Sequence, residues 1–366
     1  MHCEGCGHDY LVAFSCKQRC LCPSCHQKRE LLWAEWAEEE LLAEVPHRQV
    51  VLTIPKRLRI FFRCDRRWLG DLLGCAWRSW RLCLEASFGE SFEPGGVGFV
   101  QTAGELLGWH PHVHLLVTDG GFLADGSFRH LLWVDGEALE RLWRAEVLRL
   151  LVERGKIGQE VVESLLSWRH SGFSVHAGVR VEEKAAAARL GRYMARCPIV
   201  LDRLEWDADR EEVIIHPRPS RRGGPLWESE GLDVLDFLAR VLDHVPEPRQ
   251  QQVRYWGWYS NAARGKRRKT ALGAEGPQNA AASAEGDPSS RRRRNLSWAR
   301  LIKKVYETDP LLCRYCGAQM RIVAFVVEVS SLRRLVKGLE VGLQEAEPLS
   351  RAPPGKGELV YEAVEG

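Results

Sequence analysis

Six of the twelve cysteines fall within the first 25 residues, at Cys3, Cys6, Cys16, Cys20, Cys22 and Cys25. A segment this short cannot bury a core large enough to fold unaided, so its thiols must supply the missing stability. The chain opens Met-His-Cys-Glu-Gly-Cys, with neither the basic start nor the apolar run of an export signal. It holds no run of 18 apolar residues, so no membrane span is expected. The expected location is cytoplasmic, where clustered cysteines bind metal rather than form disulfides. Cys3-x2-Cys6 and Cys22-x2-Cys25, separated by fifteen residues, have the spacing of a four-cysteine zinc ribbon. With all four tetrahedral positions filled by protein, the Zn²⁺ would be structural. Cys16, Cys20, His8 and His26 are spare candidates. Cys313-x2-Cys316 supplies half a tetrahedron: a broken ribbon, a site completed by another chain, or two ordinary cysteines. Cys64, Cys75, Cys83 and Cys197 read as small apolar residues.

The rest of the chain reads as α+β. At 45% hydrophobic and 28% charged it is not globally disordered. Helical patterns at 30–44, 66–88, 136–153, 158–168, 182–196 and 230–243 mix with strand patterns at 48–55, 95–102, 113–118, 173–181 and 211–216. No regular strand–helix repeat is present, so an antiparallel sheet with flanking helices fits better than a doubly wound parallel one. The expected organisation is a zinc ribbon over 1–30 and a main domain over 31–245. An aromatic and basic segment over 246–269, a flexible basic linker over 270–294, and a C-terminal region over 295–366 with the second CxxC follow.

Two patterns carry chemistry. In Gly108-Trp-His-Pro-His-Val-His114, residues two apart project from one face of a strand, so His112 and His114 can share one cation while Val113 enters the core. Pro111 cannot donate to a ladder and marks the start of the regular strand, which makes His110 a weaker candidate. Two imidazoles leave coordination open for a third ligand, phosphate oxygens and water, as suits Mg²⁺ or Mn²⁺. Glu105, Asp119, His176 and Glu183 are candidate third ligands. On the helix ending before Pro198, Tyr193 has Arg189 one turn before and Arg196 nearly one turn after. Guanidinium groups favour phenolate and grip phosphate, so Tyr193 could attack a phosphodiester.

Together these segments resemble the rolling-circle insertion-sequence transposases of the HUH nuclease superfamily, the IS91-like group. The resemblance runs through Phe14-Ser-Cys-Lys17, Cys22-Pro-Ser-Cys25, Val51-Leu-Thr-Ile-Pro-Lys-Arg-Leu-Arg59 and His110-Pro-His-Val-His114. It continues through Gly191-Arg-Tyr-Met-Ala-Arg-Cys-Pro198, Tyr255-Trp-Gly-Trp-Tyr-Ser-Asn261 and Leu311-Leu-Cys-Arg-Tyr-Cys-Gly317. It implies that a divalent metal on His112 and His114 polarises the scissile phosphate. Tyr193 would then attack, leaving a 5′-phosphotyrosine and a free 3′-hydroxyl. Some members carry two tyrosines four apart. Arg189 stands at that position here, which implies a single-tyrosine form.

Net charge is only +3, so affinity for nucleic acid must come from local patches. Single-stranded DNA at element ends is the expected partner. Arg189, Arg192 and Arg196, with Arg254, Trp256, Trp258, Lys266, Arg267 and Arg268, are the expected contacts, since bases stack on aromatics and phosphates pair with cations. Two alternatives stay open: a non-catalytic zinc-ribbon DNA-binding protein, such as a decayed transposase, and a replication initiator or mobilisation nuclease. A missing GxxxxGK[ST] phosphate loop favours the transposase.

Overall fold

A computed structural model describes residues 1–9, 22–86, 92–218, 228–274 and 309–323, with positions 300, 303, 326, 328, 330 and 331. In chain order the elements are β1 (His2–Cys3), α1 (Pro23–Trp36), β2 (His47–Thr53), α2 (Lys56–Cys64) and α3 (Trp68–Glu85). Next come β3 (Gly95–Ala103), β4 (Trp109–Thr118), β5 (Gly120–Phe122), β6 (Phe128–His130), α4 (Gly136–Glu153) and α5 (Gln159–Ser167). Then follow β7 (Ser174–Val181), α6 (Lys184–Met194), β8 (Leu204–Asp207), β9 (Glu212–Ile215) and β10 (Glu230–Asp233). The last are α7 (Val234–Leu242), β11 (Val253–Gly257), α8 (Asn261–Ala274) and β12 (Met320–Arg321). The chain divides into two compact units. One gathers Met1–Gln18 and Ala281–Glu362, the other Arg19–Ala280 and Ala363–Gly366.

The larger unit is built on a five-stranded sheet in the order β11-β3-β4-β2-β7. Every pairing in it is antiparallel, as the α+β reading expects. Both faces are covered, so the strands are apolar on both sides. Val50, Leu52, Val113, Leu115 and Val117 pack one face against α2, α3 and α4, burying Trp80 and Trp143. Val97, Phe99 and Leu116 pack the other against α1 and α6. Close approach is achieved by omitting side chains: a Cβ on Gly96 would lie 2.3 Å from Trp77, and one on Gly191 would lie 2.3 Å from Trp33. A smaller antiparallel sheet, β10-β9-β8, carries α7.

Two expected segments are different in kind. β11 occupies residues assigned to a DNA-contact segment, and it is an edge strand hydrogen-bonded to β3. Its aromatics Tyr255 and Trp256 are half-buried, edge-on to Trp36 and stacked on Trp77 respectively. Tyr259, just beyond, is fully buried, and its hydroxyl bonds to His47 Nε2 at 2.7 Å. The linker expected from residue 270 begins later, since α8 runs through Ala274. The remainder of the linker, with Arg291 to Arg294, lies outside the described residues, as do Cys16 and Cys20.

Candidate metal and catalytic centres

In the smaller unit, Cys3, Cys6, Cys313 and Cys316 bring their sulfurs within 4.8 Å of one another. Cys3 and Cys316 are 3.4 Å apart, Cys6 and Cys313 3.6 Å. Four thiolates at about 2.3 Å from one tetrahedral ion stand roughly 3.8 Å apart, so the cluster fits Zn²⁺. The two halves are built alike. Cys3 N donates to His8 O and Gly7 N to Cys3 O, while Cys313 N donates to Ala318 O and Gly317 N to Cys313 O. Gly7 and Gly317 both adopt the left-handed conformation, at φ 70° and 73°. In each half a bridge closes the turn over the same span, His2 to Asp9 and Leu312 to Gln319. Backbone N–H groups of Cys316 and Tyr315 hold the Cys313 thiol down to about 6, while Cys6 is raised to about 12 and Cys316 is also raised where neighbouring thiols crowd them. It is therefore the geometry of the four sulfurs that marks them as ligands.

This corrects the ligand set expected from spacing. Cys22 and Cys25 belong to the other unit, where Cys22 is the N-cap of α1 and Cys25 lies in its first turn. The distinguishing signal was in the sequence: Cys6 and Cys316 are each followed by glycine, and Cys25 is followed by His26.

In the larger unit, β4 carries His110, His112 and His114 on one face, with ring centroids 5.2 and 5.0 Å apart in succession. The strand begins at Trp109, and its ladder with β2 begins at His112 opposite Thr53. Pro111 therefore needs no β2 partner, and it lies beside a register shift against β3. The turn before it is strained: Leu106 and Leu107 sit at φ 53° and 56°. His244 and Arg240 hold it, bonding the carbonyls of Leu107 at 2.8 Å and Leu106 at 3.0 Å.

Burial depresses all three imidazoles, His110 to about 4 and His114 to about 3, with His112 also lowered. At neutral pH they are uncharged, the form that ligates a metal. His112 Nδ1 donates to His110 O at 2.7 Å, which fixes the tautomer with Nε2 free. His110 Nε2 is buried without a hydrogen-bond partner. The side-chain amide of Gln49 lies 3.3 Å from His114 Nδ1 and orients that ring. Neutral imidazoles with an orphaned nitrogen are a donor set that fits a divalent ion.

The candidate third ligands separate by register. His176 pairs with Val51, which pairs with His114, so the two histidines share a face across β2. Asp119 lies five residues past His114, roughly 16 Å along the strand, and is ion-paired to Arg48 and Arg180. Glu105 is held by Arg203 at 2.8 Å and Arg218 at 3.6 Å. Glu183 is the N-cap of α6, with no side-chain cap bond.

Tyr193 lies in the last turn of α6 and is 43% exposed, free to meet a substrate. Arg196 sits 4.8 Å over its ring. The helix is fastened to the histidine face: Gln101, directly opposite His112 on β3, donates its amide to Met194 O. Arg189 is exposed and Arg192 half-buried near Glu30. Arg218 escaped the sequence reading. Its charge acts on His112, His114 and Arg196, and its own surroundings in sequence give no periodic signal.

The expected DNA contacts in 254–268 divide. Trp256 stacks on Trp77 at 5.6 Å, and Arg254 donates to Gly70 O. Trp258 stacks on Phe122 at 3.9 Å with Arg267 on its ring at 4.0 Å. All four have partners within the protein and are half-buried. Lys266 and Arg268 are exposed on α8.

Comparison with known proteins agrees with this architecture. Residues 1–54 match a family described as "Transposase zinc-binding domain", and residues 95–267 one described as "Putative transposase". Between them they span more than half of the chain, which belongs to this transposase family of the IS91 type. Similar to it is the "Transposase for insertion sequence element IS801" of Pseudomonas savastanoi pv. phaseolicola, 27% identical over 371 residues, 96% of this chain and 83% of the relative. Another is "Putative transposase y4qJ" of Sinorhizobium fredii (strain NBRC 101917 / NGR234), 26% identical over 283 residues, 72% of this chain and 70% of the relative. No solved structure matches. No helix among the described residues is long and apolar enough to cross a membrane.

Proposed function

We propose that this transposase cleaves and rejoins single-stranded DNA at element ends by attack of Tyr193, with a 5′-phosphotyrosine intermediate. The observation that carries this reading is the bond from Gln101 to Met194 O. It ties the last turn of the tyrosine helix to the row of the sheet that holds His112, so nucleophile and histidines belong to one rigid frame.

His112 and His114 would hold Mg²⁺ or Mn²⁺, with His176 from the same face as a further ligand. The ion supplies Lewis-acid polarisation of the scissile phosphate. Arg196, over the Tyr193 ring, pairs with a phosphate oxygen beside the attacking hydroxyl. Arg218 adds positive charge to the same side. The Tyr193 oxygen displaces the 3′-oxygen of the neighbouring nucleotide, which leaves as a hydroxyl, and one phosphodiester is exchanged for another. The reverse attack by a 3′-hydroxyl restores the tyrosine and joins strands, without a nucleotide cofactor.

The test is a labelled single strand of the element end incubated with the full chain and Mn²⁺. Wild type gives a denaturant-resistant adduct, while Tyr193→Phe gives none. His112→Ala with His114→Ala slows adduct formation at least a thousandfold, on the order of an electrostatic stabilisation removed. An adduct that persists in Tyr193→Phe rules out this nucleophile.

A further inference from the structure

We propose that a cleft beside Tyr193 seats an unpaired nucleotide of the DNA strand next to the cleaved bond. The inference rests on the reading above only for where that bond lies. The cleft is a cavity of about 660 Å³ walled by α1, the end of α6, β3 and the loop leading into β11. That is within the range of sites that enclose small ligands, roughly 300–1,000 Å³. Arg196 joins the two places, since it lies over the Tyr193 ring and also lines the cleft.

The lining has the chemistry of a nucleotide site. Arg29, Arg196, Arg249 and Arg254 all border it. The acid among them, Glu30, is buried and committed: it accepts Cys197 N at 3.2 Å and lies 3.9 Å from Arg192 and 3.8 Å from His26. The balance is cationic and suits a phosphate. Trp33 and Tyr255 present aromatic surface, held together by the bond from Trp33 Nε1 to the Tyr255 hydroxyl at 2.9 Å. Base stacking on such surface tolerates any sequence.

His26 donates Nε2–H to Ala195 O at 2.6 Å and Gln101 donates its amide to Met194 O, so the end of α6 forms a fixed wall of the cleft. An unpaired base can lay its face against Trp33 and Tyr255, which line the same cleft. A duplex would first have to extrude a base, at the cost of its pairing and stacking. The cleft therefore selects the single-stranded state beside the cleavage point.

The experiment uses the full chain and three fluorescent probes at fixed salt: a twelve-nucleotide oligodeoxycytidylate, an abasic strand of the same length, and a duplex. The oligodeoxycytidylate is expected to bind about tenfold tighter than the abasic strand, with the duplex weaker still. Arg29→Ala with Arg249→Ala should weaken the oligodeoxycytidylate and the abasic strand alike, since both carry the phosphates these cations meet. A single strand carrying 5-iodouracil should crosslink to the peptides holding Trp33 or Tyr255, which tests the seat without any substitution. Equal binding of the abasic strand or duplex, an unchanged double variant, or crosslinks confined to other peptides would overturn the proposal. Tyr193→Phe should bind all three probes as wild type does. Loss of the adduct reading thus leaves this proposal standing, and a failed cleft leaves the adduct reading standing.

Discussion

The two units hold themselves together by different means. Among its described residues the smaller one packs Cys3, Cys313 and Met320 around the four-cysteine cluster, where a bound ion adds folding energy. The larger unit buries some thirty side chains on one face of its sheet alone, and its candidate catalytic centre rests on that support. The contrast implies that metal removal unfolds one unit and spares the other, while core mutations do the reverse.

The largest effect should come from the knuckles. Cys313→Ser or a strong chelator should strip the Zn²⁺ and melt the smaller unit, whose metal-binding energy is on the order of 10–16 kcal/mol. Hydrogen exchange at 1–9 and 311–321 would rise to the unprotected rate, with β2 and β4 unaffected. Cys22→Ser should leave that ion bound. If Cys22→Ser releases it instead, the ligand set drawn here is wrong.

Trp143→Ala makes the opposite cut. The indole is fully buried on α4, and its Nε1 donates to Thr53 O at 2.8 Å, beneath the row that holds His112. Loss of its volume and bond should cost about 3–5 kcal/mol by urea unfolding, with zinc content unchanged. A comparable loss of zinc would show that the two units do not fold independently.

Acid offers a graded probe of the larger unit. Burial pushes His47 down to about 4 from an ordinary value near 6.5. Folded His47 therefore resists the proton that the unfolded chain accepts. Its contribution is whole above pH 6.5 and is lost as pH falls toward 4, up to about 3 kcal/mol. Unfolding curves at stepped pH should show that slope, and His47→Gln should flatten it. Tyr259→Phe, which removes the hydroxyl bonded to His47 Nε2 and to Ala43 N, should cost about 1–3 kcal/mol.

How much of this was legible beforehand depended on the range of the interaction. Alternation of His110, His112 and His114 is a local property of one strand, so the face they share could be read directly. The helix of Tyr193 was legible for the same reason. Pairing of Cys6 with Cys313 was not, because it closes across most of the chain and spacing rules favour near neighbours. The glycine after each true knuckle was the available local sign. That Trp256 and Trp258 stack on Trp77 and Phe122 was not legible either, because an aromatic beside a cation reads the same in sequence whatever it stacks on. Arg218 depends on the path of β8 to β10, which no periodicity specifies.

The smallest effect concerns the two α8 cations that the fold leaves exposed. Lys266 has no ion-pair partner among the described residues, and Arg268 reaches only Glu40 at 3.5 Å. Exposed pairs of this kind contribute about 0–1 kcal/mol, so Lys266→Ala with Arg268→Ala should leave unfolding within about 0.5 kcal/mol of wild type. Removing a cation that neutralises one phosphate should still lower the salt slope of single-strand binding by roughly 0.7. Arg267→Ala makes the useful control. That guanidinium donates to Trp258 O at 2.7 Å and lies on the indole, so its removal should lower stability while leaving the salt slope nearly unchanged. If Arg267→Ala instead lowers the slope as far as the double variant, the packed cation also touches DNA, and the division between structural and DNA-facing residues in this segment must be redrawn.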